Sequence, residues 1–224
     1  MNQPMADVRD MFMVHTMMRR EFGLLPQLVR EVTAGDTHRS TVVGRHAALM
    51  CVVLHLHHEG EDLILWPLLL ERGGAQASIF VPKVEDQHHG IEAALEEVKE
   101  LLPAWTATAH NGERLAEAFE VLRDRLQEHM AVEEEEILPL AAKVVTAAEW
   151  AQLGEHSLSN SPKKDLPLVF GMGMYEGDPD VVKEVLSHAP PAARLIMPLL
   201  APRLYARHAK RLYGTATPPR AGRL

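Results

Sequence analysis

Apolar residues recur through the first two thirds of the chain at the spacing of amphipathic helices. Residues 84–102 show the pattern clearly, because their apolar side chains are three or four positions apart and His88 lies on the same stripe. A stripe of this kind predicts a helix with one buried face. The same pattern predicts four long helices, over about residues 7–32, 37–71, 79–105 and 113–145.

Several of these helix boundaries coincide with residues that favour helix ends. Asp36 precedes the second helix as a predicted N-cap, and Gly73 follows it as a stop signal. Thr146 opens a capping-box sequence, which predicts a short fifth helix. Because proline removes a helical hydrogen bond, we expect an interruption or kink near residues 23–26 and a bend or end near Pro67.

Four long helices joined by short loops predict an all-α fold, with an antiparallel up-down-up-down four-helix bundle over residues 1–160. After that point proline and glycine break the pattern into shorter pieces. Residues 161–214 are predicted to form a small C-terminal helical appendage, with its last helical stretch interrupted at Pro198 and Pro202. Residues 215–224 are predicted to be a disordered tail.

The composition agrees with a helical protein. Hydrophobic residues make up 46% of the chain and aromatic residues only 5%, so the core must be mainly aliphatic. The single cysteine, Cys51, excludes a disulfide framework and a cysteine metal site. The first residues lack the basic and apolar regions of a signal peptide, and no stretch approaches the roughly 18 apolar residues that span a bilayer. We therefore expect a cytoplasmic protein with no membrane segment.

Charge is distributed unevenly along the chain. Residues 1–160 carry a net charge of −13, whereas residues 161–224 carry +5. The opposite signs, together with the apolar residues of the appendage, predict that the appendage docks on the bundle. Its basic residues are spread through an apolar pattern rather than clustered, so nucleic-acid binding is not expected.

Two segments of the chain carry the same pattern of chemically active residues. Residues 57–67 and 129–139 both read H-x3-E-[DE]-x4-P, at an offset of 72 residues. Positions i and i+4 of a helix lie on the same face, so each segment directs one imidazole and one carboxylate at a common point. One such pair is a weak signal in a glutamate-rich helix, but two matching copies indicate a duplicated ligand site.

A lone histidine precedes each copy at a nearly constant distance. His15 lies 42 residues before the first copy, and His88 lies 41 residues before the second. At about 1.5 Å per residue, both lie roughly 12 Å into their helices, and the two paired motifs lie roughly 18–20 Å before the ends of theirs. In an antiparallel bundle these heights coincide. The candidate metal ligands that would meet in this layer are His15, His57, Glu61, His88, His129 and Glu133.

Four imidazoles and two carboxylates fit two metal ions, with two histidines on each ion and both carboxylates bridging. Iron, manganese, zinc and copper all suit such ligands, so spacing alone does not select the metal. A ferritin-like oxidase needs Glu-x-x-His on two helices, but only Glu85 and His88 match it. A zinc protease needs H-E-x-x-H, but Asp62 stands at the last position. A purely structural cluster would leave six buried ionisable groups without a metal, which is costly.

As a set, these motifs resemble the hemerythrin-like HHE cation-binding domain family over about residues 8–150. The resemblance rests on the lone His15, on HHxxED at 57–62 followed by WP, on QHHGIEAAL at 87–95, and on HxxxEE at 129–134 followed by ILP. It implies an oxo- or hydroxo-bridged pair of iron ions with two bridging carboxylates. The residues that the resemblance assigns to this centre are His15, His57, Glu61, His88, His129 and Glu133.

One position departs from the oxygen-carrying members of that family. They have a second histidine one turn along the third helix, whereas this chain has Val84 and Glu92 at the two positions one turn from His88. The departure argues against reversible dioxygen carriage. His58 and His89 lie about 100° around their helices from the adjacent ligands and are predicted to be surface residues or to lie behind the ligands, with coordination by either one left open by the sequence. The histidines predicted to be structural or exposed are His38, His46, His55, His110, His156, His188 and His208.

Two classes of function remain open at this point. In the first, the centre binds and turns over a small oxidant, which is hydrogen peroxide, dioxygen or nitric oxide. In the second, a protein without enzymatic activity binds or senses oxygen, nitric oxide or iron, and the appendage reports it. The open iron positions favour the first class. The appendage could also form a homodimer contact, and no sequence feature identifies a reductant.

Overall fold

The computed structural model describes residues 3–221, and helices account for 84% of the structure with no strand among the described residues. The predicted all-α class is confirmed. In this part of the chain no helix combines the length and apolar character that crossing a membrane requires. The α-helices are α1 (Arg9–Arg30), α2 (Thr37–Gly60), α3 (Trp66–Arg72), α4 (Gly74–Thr108), α5 (Gly112–Val132), α6 (Leu138–Val144), α7 (Ala147–Asn160), α8 (Leu166–Glu176), α9 (Pro179–Ser187) and α10 (Pro191–Tyr213), and two π-helical segments are π1 (Glu61–Leu65) and π2 (Glu133–Ile137).

The predicted capping residues begin their helices. The Asp36 side chain accepts a hydrogen bond from the backbone N–H of Arg39 at 2.9 Å, which satisfies one of the free donors at the start of α2. Thr146 and Glu149 form the reciprocal capping box at the start of α7. Both caps join a side chain to a backbone group only three residues away, so they can be predicted from the sequence alone.

Proline and glycine interrupt the helices less than predicted. α1 runs without a break through residues 23–26, where the neighbouring Phe22 and Leu25 are fully buried and hold the helix in place. α4 begins at Gly74, earlier than predicted, and contains Pro82. α10 continues through its two internal prolines, which are exposed, so water can satisfy the backbone carbonyls that they leave unpaired.

The four longest helices of residues 9–132 share one apolar core. α1 contacts α2 and α5, and α4 contacts the same two helices. Each helix contributes large, fully buried side chains, and burying one such side chain contributes roughly 1.5–3 kcal/mol. Representative members, one from each helix, are Phe22, Met50, Leu95 and Phe119.

A second apolar cluster lies beyond the candidate ligands. It includes residues from α1, π1, α4 and π2, namely Met11, Leu65, Val84 and Ile137. Along each of the four stretches of chain that carry candidate ligands, the ligands lie between a residue of this cluster and a residue of the first core. His15, for example, follows Met11 and precedes Met18. The ligands therefore form a polar layer between two apolar clusters.

The C-terminal helices dock on α1 and α2, as the charge distribution predicted. α8 pairs with α10, α8 and α9 contact α1, and α10 contacts α2. Three of their side chains, Met172, Tyr205 and Leu212, belong to the first apolar core. The appendage therefore covers apolar surface that α1 and α2 would otherwise expose.

A buried polar network also joins the appendage to α1. Arg20 forms an ion pair with Glu176 at 2.9 Å and hydrogen-bonds the Tyr205 hydroxyl. Its guanidinium also stands about 5 Å from the rings of Tyr175 and Tyr205. The Tyr213 hydroxyl donates to the buried Glu21. Attraction between opposite charges thus contributes to docking alongside apolar contact.

The predicted disordered tail begins where α10 ends. Residues 215–221 form no helix, but Pro218 is buried and its carbonyl accepts a hydrogen bond from the Tyr175 hydroxyl at 2.6 Å. This part of the tail therefore packs on the appendage instead of extending into solvent. The last three residues of the predicted tail, 222–224, lie outside the described residues.

Candidate metal centre

In each of the two paired motifs the α-helix widens into a short π-helical segment. π1 begins at Glu61 and π2 begins at Glu133, and each is followed by an α-helix with proline in its first turn. The backbone N–H of Trp66 bonds to the Glu61 carbonyl, five residues back instead of four. Proline cannot donate to the helical ladder, and a wider turn just before it accommodates that loss. The repeat of the sequence is therefore a repeat of the backbone.

The structure brings all six candidate ligands together. They fall into two groups, and within each group one potential ligand atom per residue lies within 4.8 Å of every other. Glu61 belongs to both groups. One group is His15, His57, Glu61 and Glu133, and the other is His58, Glu61, His88 and His129.

His58 differs from its predicted position as a residue behind the ligands or at the surface. It is buried, and its ring stacks on that of His88 with the centroids 4.0 Å apart. The predicted rotation of about 100° from His57 is what one α-helical residue gives. Because the two groups lie side by side, that rotation carries His57 to one group and His58 to the other. The sequence signal for this role was that His57 and His58 are adjacent. Both can be ligands only because two groups lie side by side.

The separations between ligand atoms match those of groups that share a metal ion. His57 Nε2 lies 3.3 Å from Glu61 Oε1, and His129 Nε2 lies 3.2 Å from Glu133 Oε2. His15 Nε2 is 3.3 Å from the same Glu133 oxygen. Two ligand atoms that are each about 2.0–2.2 Å from one ion are roughly 3 Å apart when they are adjacent around it.

Several of these buried atoms have no hydrogen-bond partner in the described protein. They are the Nε2 atoms of His15, His57 and His58, together with both carboxylate oxygens of Glu61 and of Glu133. Buried polar atoms are nearly always paired, so this concentration of unpaired atoms in one layer requires an explanation. A cation in each of the two groups would provide partners for these atoms.

A second contact points to a cation in the group that contains His88. His88 Nδ1 is 2.7 Å from the carboxylate of Asp62, which can only accept, so the tautomer that suits this contact carries its proton on Nδ1. His88 Nε2 then presents a lone pair, and it is 3.2 Å from His129 Nε2. The amide oxygen of Gln87 faces His129 Nδ1 at 3.4 Å and favours the same tautomer there. Two facing lone pairs repel, and a cation between them removes the repulsion.

Electrostatics favour the ligand form of three groups in the layer, His57, His58 and Glu133. Burial lowers the pKa of His57 to about 3, with His15 the next cause, and burial followed by His88 holds the pKa of His58 well below its usual value. Both rings are therefore neutral. Burial opposes ionisation of Glu133, but His129 and His15 lower its pKa well below the ordinary value. At His15 burial lowers the pKa, but the carboxylates of Glu133 and Glu134 outweigh it and raise the pKa above its ordinary value.

The pKa of Glu61 moves in the opposite direction. Burial, and then the charge of Glu133, raises it well above its usual value. The two carboxylates thus compete for ionisation in the metal-free protein. A divalent cation between them would remove that competition, as it does in other sites where bound cations are the largest local charges.

The second acid of each motif orients a histidine of the other copy. Glu134 Oε1 lies 2.9 Å from His15 Nδ1 and accepts a hydrogen bond from Arg19 at 2.6 Å. Asp62 faces His88 Nδ1 in the same manner and accepts from the Trp66 indole at 2.8 Å. A carboxylate on Nδ1 fixes the tautomer that leaves Nε2 free for a metal. The motif contains this acid, but the sequence did not reveal which histidine it would reach.

The other histidines lie outside the two groups. His89 lines a cavity of about 380 Å³ on the outer side of α4 and α5, beside Gln87 and Arg125. His156 contacts Glu59 at 2.9 Å, and His46 contacts His208 at 3.1 Å. These contacts agree with the structural roles that were predicted.

Val84 and Glu92, which stand one helical turn from His88 where a further histidine was considered, have structural roles. Val84 is fully buried in the second apolar cluster. Glu92 pairs with Lys99 at 3.1 Å on the partly exposed side of α4. Neither position contributes to the ligand layer, although His58 provides a fifth imidazole that sequence reasoning had not assigned.

Comparison with known proteins agrees with the ligand layer. Residues 6–141 match the model of the hemerythrin HHE cation-binding domain. No curated protein and no solved structure matches the chain. The family match includes π1, π2 and every residue of both groups. Because it spans more than half of the chain, the protein belongs to the hemerythrin HHE cation-binding domain family.

Proposed function

We propose that residues 1–160 form an antiparallel up-down-up-down four-helix bundle that holds two iron ions, with residues 161–214 as a separate helical appendage. The short connections between the long helices and the closed set of contacts among α1, α2, α4 and α5 support this arrangement. The proposed ligands are His15, His57, His58, Glu61, His88, His129 and Glu133.

The observation that carries the proposal is the place of Glu61 in both groups. A carboxylate within reach of two sets of imidazoles is the arrangement that holds two ions side by side. Glu133 lies close to His15 of one group and His129 of the other, which supports a second bridge. Imidazole and carboxylate ligands suit iron among other metals, and membership of a cation-binding family is consistent with it.

We propose that this centre binds and reduces a small oxidant, which is hydrogen peroxide, dioxygen or nitric oxide. When bound, the iron pair would supply open coordination positions and a change of oxidation state; with peroxide, one molecule would donate the two electrons that reduce another, giving oxygen and two molecules of water. The chain supplies the enclosure, because the side chain of His57 is 10% exposed and those of His15, His129 and Glu133 are fully buried. So little exposure favours a small molecule as the ligand.

One observation favours the second candidate, a binding or sensing protein. The appendage packs on α1 and α2, and these helices hold His15, His57 and His58. A change in the position of those histidines on ligand binding could therefore alter the docking of the appendage. In this case the protein binds the small molecule without consuming it.

Metal analysis tests the centre, and peroxide consumption separates the two functions. Protein produced with iron should contain about two iron ions per chain, and Glu61→Ala should lose both because Glu61 lies in both groups. Glu135→Ala changes an exposed carboxylate within π2 and is the matched control. A single zinc ion per chain that His15→Ala leaves in place would refute the di-iron centre. Oxygen evolution from added peroxide would support turnover, and stable binding without evolution would support sensing.

A further inference from the structure

A cavity outside the ligand layer lies where the first half of α2 meets the C-terminal end of α10. Its volume is about 570 Å³, within the range of sites for small ligands. It is called the basic concavity here, and its lining residues are His38, Arg39, Val42, Arg45 and Arg211. Four of these five side chains are basic, and no carboxylate is among them.

The absence of carboxylates from the lining is contrary to the composition of the chain. Aspartate and glutamate outnumber lysine and arginine by 31 to 23, so an average concave surface would contain acids. A sphere of 570 Å³ is about 10 Å across, which is comparable to the Debye length of about 10 Å at 0.1 M salt. Solvent ions therefore screen the repulsion among the lining charges only in part.

The three guanidinium groups differ in what they bind. Arg39 is half-buried and donates to the backbone carbonyls of Arg211 at 2.7 Å and Leu212 at 2.5 Å, so it is held at the end of α10. Arg45 and Arg211 are exposed, and among residues 3–221 neither has an ion-pair partner. Two guanidinium groups without an ion-pair partner in this range thus line the cavity together with a third, which is held by backbone carbonyls.

We propose that the basic concavity binds a small anion through a phosphate group and that this anion bridges α2 and α10. Arginine forks match the oxygens of a phosphate, and several of them around one cavity suit a group with more than one negative charge. The net charge of −8 opposes the approach of a long polyanion, so the ligand is a small molecule.

Bridging follows from where the lining residues lie in the chain. His38, Arg39 and Arg45 belong to α2, whereas Arg211 belongs to α10, so an anion in the cavity attracts both helices. Without it, Arg211 is repelled by the cations of α2. The bound anion therefore stabilises docking of the appendage, independently of any metal at the other end of α2.

Titration of the full-length, iron-loaded protein tests the proposal. The probes are inorganic phosphate, pyrophosphate and a nucleoside triphosphate, each measured by calorimetry, thermal unfolding and hydrogen exchange of residues 205–213. We expect saturable binding of at least one probe, a higher Tm, and slower exchange at the end of α10. Binding of the triphosphate alone would identify a nucleotide as the source of the phosphate group, whereas binding of pyrophosphate or phosphate would show that the group itself suffices.

Variants distinguish this site from the metal centre, since phosphates also bind iron. Arg45→Ala combined with Arg211→Ala should weaken binding at least tenfold and abolish the rise in Tm. Arg203→Ala is the control, because Arg203 is an exposed arginine of α10 whose guanidinium bonds only to the Leu199 carbonyl of its own helix. Equal binding by the wild type and the double variant would overturn the proposal. So would an equal rise in Tm from chloride at matched ionic strength.

Discussion

Replacing Glu134 by alanine should weaken the binding of one of the two proposed ions and leave the other in place. Glu134 Oε1 accepts from His15 Nδ1 at 2.9 Å and from Arg19 at 2.6 Å. This contact keeps the His15 proton on Nδ1 and leaves Nε2 free for the metal. Loss of such a partner typically lowers metal affinity about 10- to 100-fold, which is about 1.4–2.8 kcal/mol.

Two further variants separate orientation from charge. Glu134→Gln removes the negative charge but keeps a carbonyl oxygen that can accept from both His15 and Arg19. We therefore expect a loss near the lower limit, about tenfold. Glu135→Ala removes a carboxylate from the next residue, which is exposed and has no ion pair among the described residues. It should retain the affinity of the wild type.

The assay is retention of iron during competition with a chelator. Wild-type protein should release its two ions at similar rates, whereas Glu134→Ala should lose one rapidly and keep about one per chain. Asp62→Ala should lose the other ion, because Asp62 orients His88 in the other group. If Glu134→Ala retained both ions at the rate of Glu135→Ala, the proposed role of the second acid would be refuted.

Three other outcomes follow from the structure. His57→Ala and His58→Ala should each remove about one ion per chain, since the two rings lie in different groups, and full retention by His58→Ala would show that it is not a ligand. A chain ending at Asn160 should keep its metal but unfold at lower temperature, because it loses apolar core contacts, and loss of all iron would show that the appendage supplies a ligand. Burial, and then His46, lowers the pKa of His208 from an ordinary 6.5 to about 4, so the unfolded chain binds that proton first. Unfolding free energy should therefore fall as pH drops from 6.5 to 4, and His208→Gln should reduce the fall; an unchanged pH profile would contradict this.

The helices and the candidate ligands were predictable because the interactions that define them are local. A pair such as His57 and Glu61 is set by the helical repeat, and a cap such as Asp36 bonds to a backbone group three residues away. Helix interruptions were wrongly predicted at residues 23–26 and at Pro198 and Pro202, where tertiary burial or solvent exposure decides whether a proline is tolerated. Local sequence does not contain that information.

The polar network that docks the appendage could not be predicted, because its contacts join residues that are far apart in the sequence. Arg20 meets Tyr205 across 185 positions of sequence, and Glu21 meets Tyr213 across 192. Only the net charges of the two parts indicated docking, and they did not indicate which residues meet. His58 falls between these cases, because its position on the helix was known but the neighbouring group that gives it a function was not.

The duplication predicts that one copy alone would not hold an ion at the proposed centre. The lone histidine of the first copy, His15, contacts Glu133 and Glu134 of the second copy. The lone histidine of the second copy, His88, contacts Glu61 and Asp62 of the first. Every lone histidine is thus placed and oriented by the other copy, so a single copy has imidazole and carboxylate groups without the contacts that fix their geometry. The ligand layer requires both copies to fold together, which couples metal binding to formation of the whole helical core.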